Sequence, residues 1–205
     1  MNKSENNLKV WREVEKTNPK FTKETSLGGR KITSINPTFQ IKNATDVFGM
    51  YGKGFGLENL KHEFKEFGTT TLLILHCDFF YFLEEKKHSF ELSGSIKMAY
   101  VSKTGNQIID DDAFKKIETD LTTKALSKLG FNADIFMGKF DDVKYLKDVI
   151  QDFKNEEINR VKKEIQNVND LITLRSIYDK NIDVVSENPS LSDCFTQKKI
   201  EIEKK

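Results

Sequence analysis

Residues 69–83 read TTTLLILHCDFFYFL, and this stretch decides the fold. Successive side chains of a β-strand point to opposite faces. One face of this stretch would be wholly apolar and would consist of Leu73, Leu75, Cys77, Phe79 and Tyr81. The other face carries two polar residues, His76 and Asp78, among its apolar ones. The pattern therefore predicts a strand with one face buried in a core.

Two similar stretches flank this strand, at about residues 57–66 and 87–101. The breaks between the three stretches, at Phe67-Gly68 and at residues 84–87, are short enough for hairpins. Antiparallel pairing of neighbours along the chain is the simplest arrangement of such strands. The sequence thus predicts an antiparallel meander.

Residues 110–130 give the clearest helix. An apolar stripe recurs at helical spacing and consists of Phe114, Ile117, Leu121, Ala125 and Leu129. Aspartates lie at the positive N-terminal end, lysines lie near the negative C-terminal end, and Gly130 is a stop signal. We expect this helix to pack across the sheet and complete a β-β-β-α core.

The segments before and after this core are less regular. Residues 16–34 indicate a loop or an edge hairpin around Gly28 and Gly29. A short helix should follow, capped by Asn36, started by Pro37 and ended by Gly49. Beyond the core, residues 141–165 and the stretches NDLITLRSIYDK and SLSDCFTQKKIEIEKK predict helices dense in mixed charge. The prediction is an α+β domain over residues 1–155 and a helical C-terminal appendage over residues 156–205.

Composition and charge narrow the range of possible functions and locations. The two cysteines, Cys77 and Cys194, are far apart and form no disulfide framework. There is no signal-peptide core at the N-terminus and no apolar run near the roughly 20 residues that span a bilayer, so we expect a soluble, cytoplasmic protein. The net charge is only +1, yet residues 1–57 hold ten Lys and Arg against five Asp and Glu. A basic segment on a neutral body suggests a polyanion partner, although solubility alone would also account for it.

The glycine-rich stretch GMYGKGFG, residues 49–56, raises the question of nucleotide binding. A phosphate-binding glycine loop follows a strand and opens a helix, so that the positive helix end faces the anion. This stretch follows a predicted helix and leads into a strand, and it contains no G-K-[ST]. We interpret it as a helix cap and a bend into the sheet. Its Lys53, Tyr51 and Phe55 remain candidate contacts to a nucleic-acid strand.

Two further clusters could suggest metal chemistry. Asp110, Asp111 and Asp112 are candidate ligands for the metal of a nuclease, but aspartates ahead of a helical stripe are more typical of capping. One histidine falls on each predicted strand, without the spacing of a metal site: His62, His76 and His88. We find no catalytic constellation, and we expect neither a cofactor nor a metal.

Three stretches in order carry a resemblance to a known family. They are T-N-P-K-x-T-K at residues 17–23 with the following Gly-Gly and Arg30-Lys31, INPTFQIKNATDVFG at 35–49 with its glycine-rich sequel, and the helix of residues 110–130 ending in F-N. In this order and spacing the sequence resembles the single-strand annealing proteins of the Rad-fifty-two superfamily, particularly the phage-borne Sak type. The resemblance covers roughly residues 10–145.

The resemblance implies a β-β-β-α core, assembly into rings or helical filaments, and a positive groove that holds one DNA strand by its backbone. Lys20 or Lys23 matches the basic position ahead of the glycine turn, and Lys124 matches one of two adjacent basic residues of the groove. The neighbouring position is Thr123, so half of that pair is missing. Lys103 follows the third strand, where the family's sheet also meets DNA. The full set of candidate DNA contacts is Lys20, Lys23, Arg30, Lys31, Lys42, Tyr51, Lys53, Phe55, Lys103, Lys124 and Lys128.

The leading hypothesis is therefore an ATP-independent, oligomeric protein that binds and anneals single-stranded DNA in phage recombination, within a bacterial cytoplasm. By analogy with such proteins, a single-strand-binding protein or an exonuclease is a candidate partner of the C-terminal segment. The alternative from another class is a replication-accessory or protein/RNA interaction module without annealing activity. A metal-dependent nuclease built on Asp110, Asp111 and Asp112 is the third.

Overall fold

The computed structural model describes residues 8–27 and 29–204, with Leu27 and Arg30 described by their backbone alone. The chain forms two compact units that divide between Asp142 and Val143. The boundary predicted near residue 155 falls inside the continuous helix Val143–Gln166. The prediction rested on the low apolar content and mixed charge of the helices that follow, whereas the division comes at the first residue of this helix.

The elements of the first unit, in chain order, are α1 (Lys9–Val14), β1 (Thr22–Leu27), β2 (Arg30–Ile35), α2 (Pro37–Phe48), β3 (Phe55–Phe67), β4 (Thr70–Leu83), β5 (Lys86–Val101), β6 (Gln107–Ile109), α3 (Ala113–Lys128) and α4 (Ala133–Phe136). Short 3-10 turns lie at Pro19–Phe21 and Lys139–Asp141.

The main sheet is antiparallel, with the strand order β3-β4-β5-β6. Two-residue turns join β3 to β4 and β4 to β5, and Gly68, Glu84 and Glu85 all have positive φ. Positive φ at such positions gives the turn a twist that matches the strands it connects. The predicted meander is confirmed, and the short β6 extends it.

The core lies between one face of this sheet and α3. Leu73, Leu75 and Phe79 of β4 are fully buried, as the alternation in residues 69–83 predicts. Gly94 on β5 lets the helix approach closely, because a Cβ there would lie 3.0 Å from Leu121 Cδ2. On α3 the buried residues are Ala113, Ile117, Leu121, Thr122, Ala125 and Leu126. The predicted packing of the long helix on the sheet is confirmed.

Phe114 was expected within the buried stripe of α3, and that expectation is wrong. Its side chain is 40% exposed, and Ala113 is fully buried instead. Phe114 is the second residue of the helix, and its side chain lies beside the edge strand β3. There its ring lies 5.2 Å from the ring of His62 and 6.2 Å from that of Phe64.

The N-terminal helix α1 packs against the core near the C-terminal end of α3. Trp11 of α1 packs on Gly130, where an added Cβ would lie 2.6 Å from Trp11 Cδ2, and Val14 is buried in the core. Strands β1 and β2 pair with each other and form a separate two-stranded sheet. The hairpin alternative for residues 16–34 is thus correct, although this hairpin is not an edge of the main sheet. Gly28 lies outside the described residues.

The second unit is helical, with α5 (Val143–Gln166), α6 (Leu171–Lys180), α7 (Ile182–Ser186) and α8 (Pro189–Glu203). Its apolar cluster includes Val161, Ile165, Leu174, Leu191 and Phe195. The Asp170 carboxylate accepts the Thr173 backbone N–H at 2.8 Å and caps α6, and this hydrogen bond lowers the pKa of Asp170. The predicted helices are confirmed, while the short α7 was not predicted.

The fold class is therefore mixed α+β, with an antiparallel meander on a long helix and further helices after it. Among the described residues, the helices are too short or too polar to cross a membrane.

Candidate nucleic-acid interface

The β1-β2 hairpin is held at its base by a buried polar network. The Asp134 carboxylate accepts the Thr17 backbone N–H at 2.8 Å, the Thr17 hydroxyl, and the Ile135 backbone N–H at 2.9 Å. Asn132 Nδ2 donates to the Thr17 hydroxyl oxygen at 3.0 Å. Thr17, Asn132 and Asp134 are all at most 1% exposed. Because buried polar groups are costly unless paired, this network fixes where the chain enters the hairpin.

An aromatic contact adds a second anchor. Phe21 and Phe39 stack with ring centroids 3.8 Å apart, which ties the start of the hairpin to α2. The Asn36 backbone N–H donates to the Phe21 carbonyl at 2.9 Å and joins the two ends of the hairpin. Asn36 also caps α2, because its side chain accepts the Thr38 backbone N–H at 2.9 Å. The hairpin therefore extends from a defined base on the first unit.

The predicted basic residues of the hairpin are on its surface. Lys20, Lys23 and Lys31 are exposed. In the register of the hairpin Lys23 lies opposite Ser34, and Lys31 lies opposite Ser26. Lys31 Nζ lies 3.5 Å from the Glu24 carboxylate, an exposed ion pair of the kind that contributes little and leaves the lysine available to another anion. The Arg30 side chain lies outside the described part of the chain.

The order of elements around the glycine-rich stretch of residues 49–56, the glycine segment, argues against a phosphate-binding loop. It follows α2 and leads directly into β3. Gly54 packs so closely on the end of α2 that a Cβ there would lie 1.8 Å from the Phe48 carbonyl oxygen. The Gly54 carbonyl accepts the Phe82 backbone N–H at 2.8 Å, which fixes the segment beside the end of β4. The prediction of a bend from a helix into the sheet is confirmed.

Of the three candidate contacts in this segment, one is withdrawn. Phe55 is fully buried in the core, where it lies against Phe48 and Phe79. Its ring cannot stack on a base, because its strand alternation turns it inward. Tyr51 is 48% exposed and Lys53 is exposed, so these two side chains remain at the surface.

The basic residues of α3 are near its C-terminal end. Lys124 is exposed and pairs with Asp120 one turn earlier, with 2.8 Å between Nζ and Oδ2. Thr123, the residue before Lys124, is half-buried. Lys128 lines a cavity of about 620 Å³ that is also bordered by Lys9, Trp11, Asp46 and Glu84. Acidic groups therefore accompany both lysines.

Two other candidate DNA contacts, Lys103 and Lys42, lie on other elements of the first unit. Lys103 lies in the turn between β5 and β6, at the end of the sheet where β4 begins. Lys42 is exposed on the middle of α2. The structure thus brings Tyr51, Lys53 and Lys128 to the end of the sheet where β4 finishes, and it leaves Lys103 near the opposite end.

The acidic cluster at the start of α3 is engaged in local contacts. The Asp110 carboxylate accepts Lys116 Nζ at 2.7 and 2.8 Å and the Asp112 backbone N–H at 3.2 Å. The hydrogen bond from Lys116 holds the pKa of Asp110 below its ordinary value. In the described part of the chain, no three His, Cys, Asp or Glu side chains are grouped to hold a metal ion.

The histidines have separate neighbours. His62 contacts the ring of Phe114, His88 stacks on Tyr81 with centroids 5.2 Å apart, and His76 Nδ1 lies 2.8 Å from the Ser93 hydroxyl. The structure does not bring these three side chains together.

Sequence reasoning missed the residues that position the hairpin. Thr17 and Asp134 are 117 positions apart, and neither belongs to a periodic pattern. The only local signal is that each is a small polar residue beside a turn. Asp120, which pairs with Lys124, was also missed, although its spacing of four residues on a predicted helix is a known ion-pair pattern.

No protein-family model matches this chain, and the search of curated proteins found no significant match.

Proposed function

We propose that this protein binds single-stranded DNA and anneals complementary strands without nucleotide hydrolysis, in the recombination of a phage or prophage. The observation that carries the proposal is the basic hairpin β1-β2, held at its base on a core of three long antiparallel strands and one long helix. The β-β-β-α core is the part of this architecture that the resemblance to single-strand annealing proteins implies. The resemblance also matches Lys20 or Lys23, ahead of the glycine turn, to a basic position of the family.

The chemistry of annealing fits a surface of this kind. Lysines neutralise phosphates and release counterions, so that two negatively charged strands can approach. Contacts to the backbone leave the base edges free to test complementarity. Duplex stacking then drives the reaction, and no covalent step by the protein is required.

The candidate contacts fall into two groups. The first is the hairpin, with Lys20, Lys23, Arg30 and Lys31. The second is the surface around the end of β4 and α3, with Tyr51, Lys53, Lys124 and Lys128. Lys42 on α2 and Lys103 in the turn after β5 belong to neither group, and Phe55 is excluded by its burial.

One protomer offers few phosphate contacts, so a useful footprint requires several copies side by side. We therefore include a homo-oligomer, a ring or a helical filament, in the proposal. We place the protein in the cytoplasm of the bacterial host. The C-terminal unit, residues 143–205, is the proposed contact for a single-strand-binding protein or an exonuclease.

The test is an annealing assay with fluorescently quenched complementary oligonucleotides in the absence of ATP and metal ions. We expect the protein to accelerate annealing and to bind single-stranded DNA with an affinity that falls steeply as salt rises. No acceleration over the spontaneous rate would refute the proposal. Binding to protein or RNA without a preference for single-stranded DNA would favour an interaction module instead.

A further inference from the structure

The second half of β3, residues 61–67, is an open strand edge, since no other strand in the described part of the chain pairs with its outer side. β3 is the terminal strand of the main sheet, and residues 61–67 are all exposed. A bulge between Glu58 and Lys61 separates this half from the first, and the Gly68 turn ends it. Phe64 is 52% exposed and Phe67 is 60% exposed. Unpaired backbone groups beside exposed aromatic rings can pair with another strand.

The first half of β3 does not share this property. The Gly52 backbone N–H donates to the Phe55 carbonyl at 2.7 Å, and Tyr51 forms a bridge with Phe55. The glycine segment therefore occupies the beginning of the strand. The open edge is limited to the seven residues KHEFKEF.

This sequence is complementary to itself in one antiparallel register. With Phe64 opposite Phe64 of a second copy, Glu63 faces Lys65, His62 faces Glu66, and Lys61 faces Phe67. Each pair occurs twice, because a two-fold axis relates the copies. Opposite charges on directly opposed positions stabilise a sheet, and like charges destabilise it.

The neighbouring symmetric registers lack this complementarity. The two-fold axis is perpendicular to the sheet, and directly opposed residues point to the same face. A symmetric register must therefore be centred on one residue that faces its own copy, and neighbouring registers are centred on neighbouring residues. Centring on Glu63 places Glu opposite Glu and Lys61 opposite Lys65. Centring on Lys65 places Lys opposite Lys and Phe64 opposite Glu66. Only the register on Phe64 opposes the charges correctly among these three.

Contacts within one protomer agree with the same register. On the core side, Phe64 lies next to Phe114, so pairing would bring together two copies of each ring. On the other side, Glu63 lies 3.6 Å from His76 Nε2 and 3.4 Å from its own Lys65. The side chains of Glu63 and Lys65 are about half exposed, at 47% and 51%. Each Glu63 can therefore also reach the Lys65 of the second copy.

We propose that two copies of this chain associate by antiparallel pairing of residues 61–67, with Phe64 at the two-fold axis. The main sheets of the two protomers then form one continuous sheet. Lysines on an edge strand usually oppose such pairing. Here the glutamate two positions before Lys65 reverses that effect for Lys65, because the residue opposite each Lys65 is the Glu63 carboxylate of the other copy, while Lys61 lies opposite Phe67 near the end of the paired segment.

Charge variants test the register in the absence of DNA, so the outcome is independent of the annealing proposal. Glu63→Lys and Lys65→Glu each create two like-charge pairs, and we expect either change to raise the dissociation constant of the pair about tenfold. The double variant Glu63→Lys/Lys65→Glu should restore association, and so should mixing the two single variants. Sedimentation velocity over a range of concentrations gives the measurement.

Cysteine crosslinking provides a second measurement. At a symmetric pair the Cα atoms lie about 4.5–5.5 Å apart, within the range that a disulfide bridges. Phe64→Cys should therefore form a crosslinked dimer on mild oxidation. His62→Cys is the matched control, because its two copies are offset by four residues, about 13 Å. The native Cys77 and Cys194 are present in both variants.

Recovery by the double variant and selective crosslinking at position 64 would support the proposal. It is overturned if the wild-type protein stays a single chain of 23.7 kDa at high concentration. It is equally overturned if both single charge variants associate as tightly as the wild type, or if His62→Cys crosslinks as readily as Phe64→Cys.

Discussion

The main sheet and the β1-β2 hairpin both consist of antiparallel strands, yet they are stabilised in different ways. The sheet buries Leu73, Leu75 and Phe79 beneath α3, so its stability comes from apolar burial. Among the described residues the hairpin has no further strand partner, and it is held at its base by the Thr17 network and the Phe21-Phe39 stack. A lone two-stranded hairpin is marginal in water. The region proposed to bind DNA is thus the one that depends most on a few anchoring contacts.

This difference separates stability from the proposed function. Changes in the sheet core should unfold the protein, changes at the hairpin base should affect both properties, and changes to the exposed lysines should affect DNA binding alone. The following predictions test that order, beginning with the largest effect.

Leu75→Ala should lower the free energy of unfolding by about 2–5 kcal/mol, because it leaves a cavity in a fully buried site. Ile74→Ala is the matched control on the opposite, half-buried face of the same strand, and its loss should be smaller. Urea denaturation followed by circular dichroism measures both. Equal losses would contradict the assignment of the two faces.

Thr17→Val should cost about 1–3 kcal/mol, since the buried Asp134 carboxylate and Asn132 amide each lose a hydrogen-bond partner. Single-stranded DNA affinity should also fall, because the hairpin base is loosened. Thr17→Ser keeps the hydroxyl and should retain most of both properties. A Thr17→Val protein with wild-type stability would show that the network does not hold the hairpin.

The double variant Lys23→Gln/Lys31→Gln should keep the wild-type free energy of unfolding, because both side chains are exposed. Its single-stranded DNA affinity should fall roughly tenfold at low salt, and the salt slope should decrease by about 0.7 for each lost contact. Lys180→Gln/Lys204→Gln removes the same charge from the C-terminal unit. Fluorescence anisotropy should show a much smaller loss for that control.

Asp120→Asn should produce the smallest change, a tightening of DNA binding of about twofold, because it removes the carboxylate that neutralises Lys124. Asp148→Asn, an exposed aspartate of the C-terminal unit, is the control. Weaker binding by the Asp120→Asn protein would place Lys124 outside the interface.

Much of the fold could be predicted from the sequence because its signals are local. The alternation in residues 69–83 gave the buried face, the stripe from Ile117 to Leu129 gave the helix, and Asn36 with Gly49 gave the bounds of α2. Phe114 was misplaced because an apolar stripe gives the rotation of a helix but not where the sheet stops covering it, and Phe114 lies in the first turn of α3 beside the edge strand β3. The burial of Phe55 was missed because its position in β3 depends on the register with β4.

The candidate interface was less predictable. Positive charge identified the basic segment, but the placement of the hairpin depends on Thr17 meeting Asp134, a contact across 117 residues without a periodic signal. The pairing of Lys124 with Asp120 was predictable in principle, because a spacing of four residues on a helix is a known ion-pair pattern, but it was not considered.

The most direct test compares wild-type protein with the variant Lys20→Gln/Lys23→Gln/Lys31→Gln in an ATP-free annealing assay, after circular dichroism has shown that both are folded. We predict that the wild type accelerates annealing of complementary oligonucleotides and that the variant loses most of this acceleration. Annealing by the variant at the wild-type rate would remove the hairpin from the mechanism. No acceleration by either protein would contradict the annealing function itself.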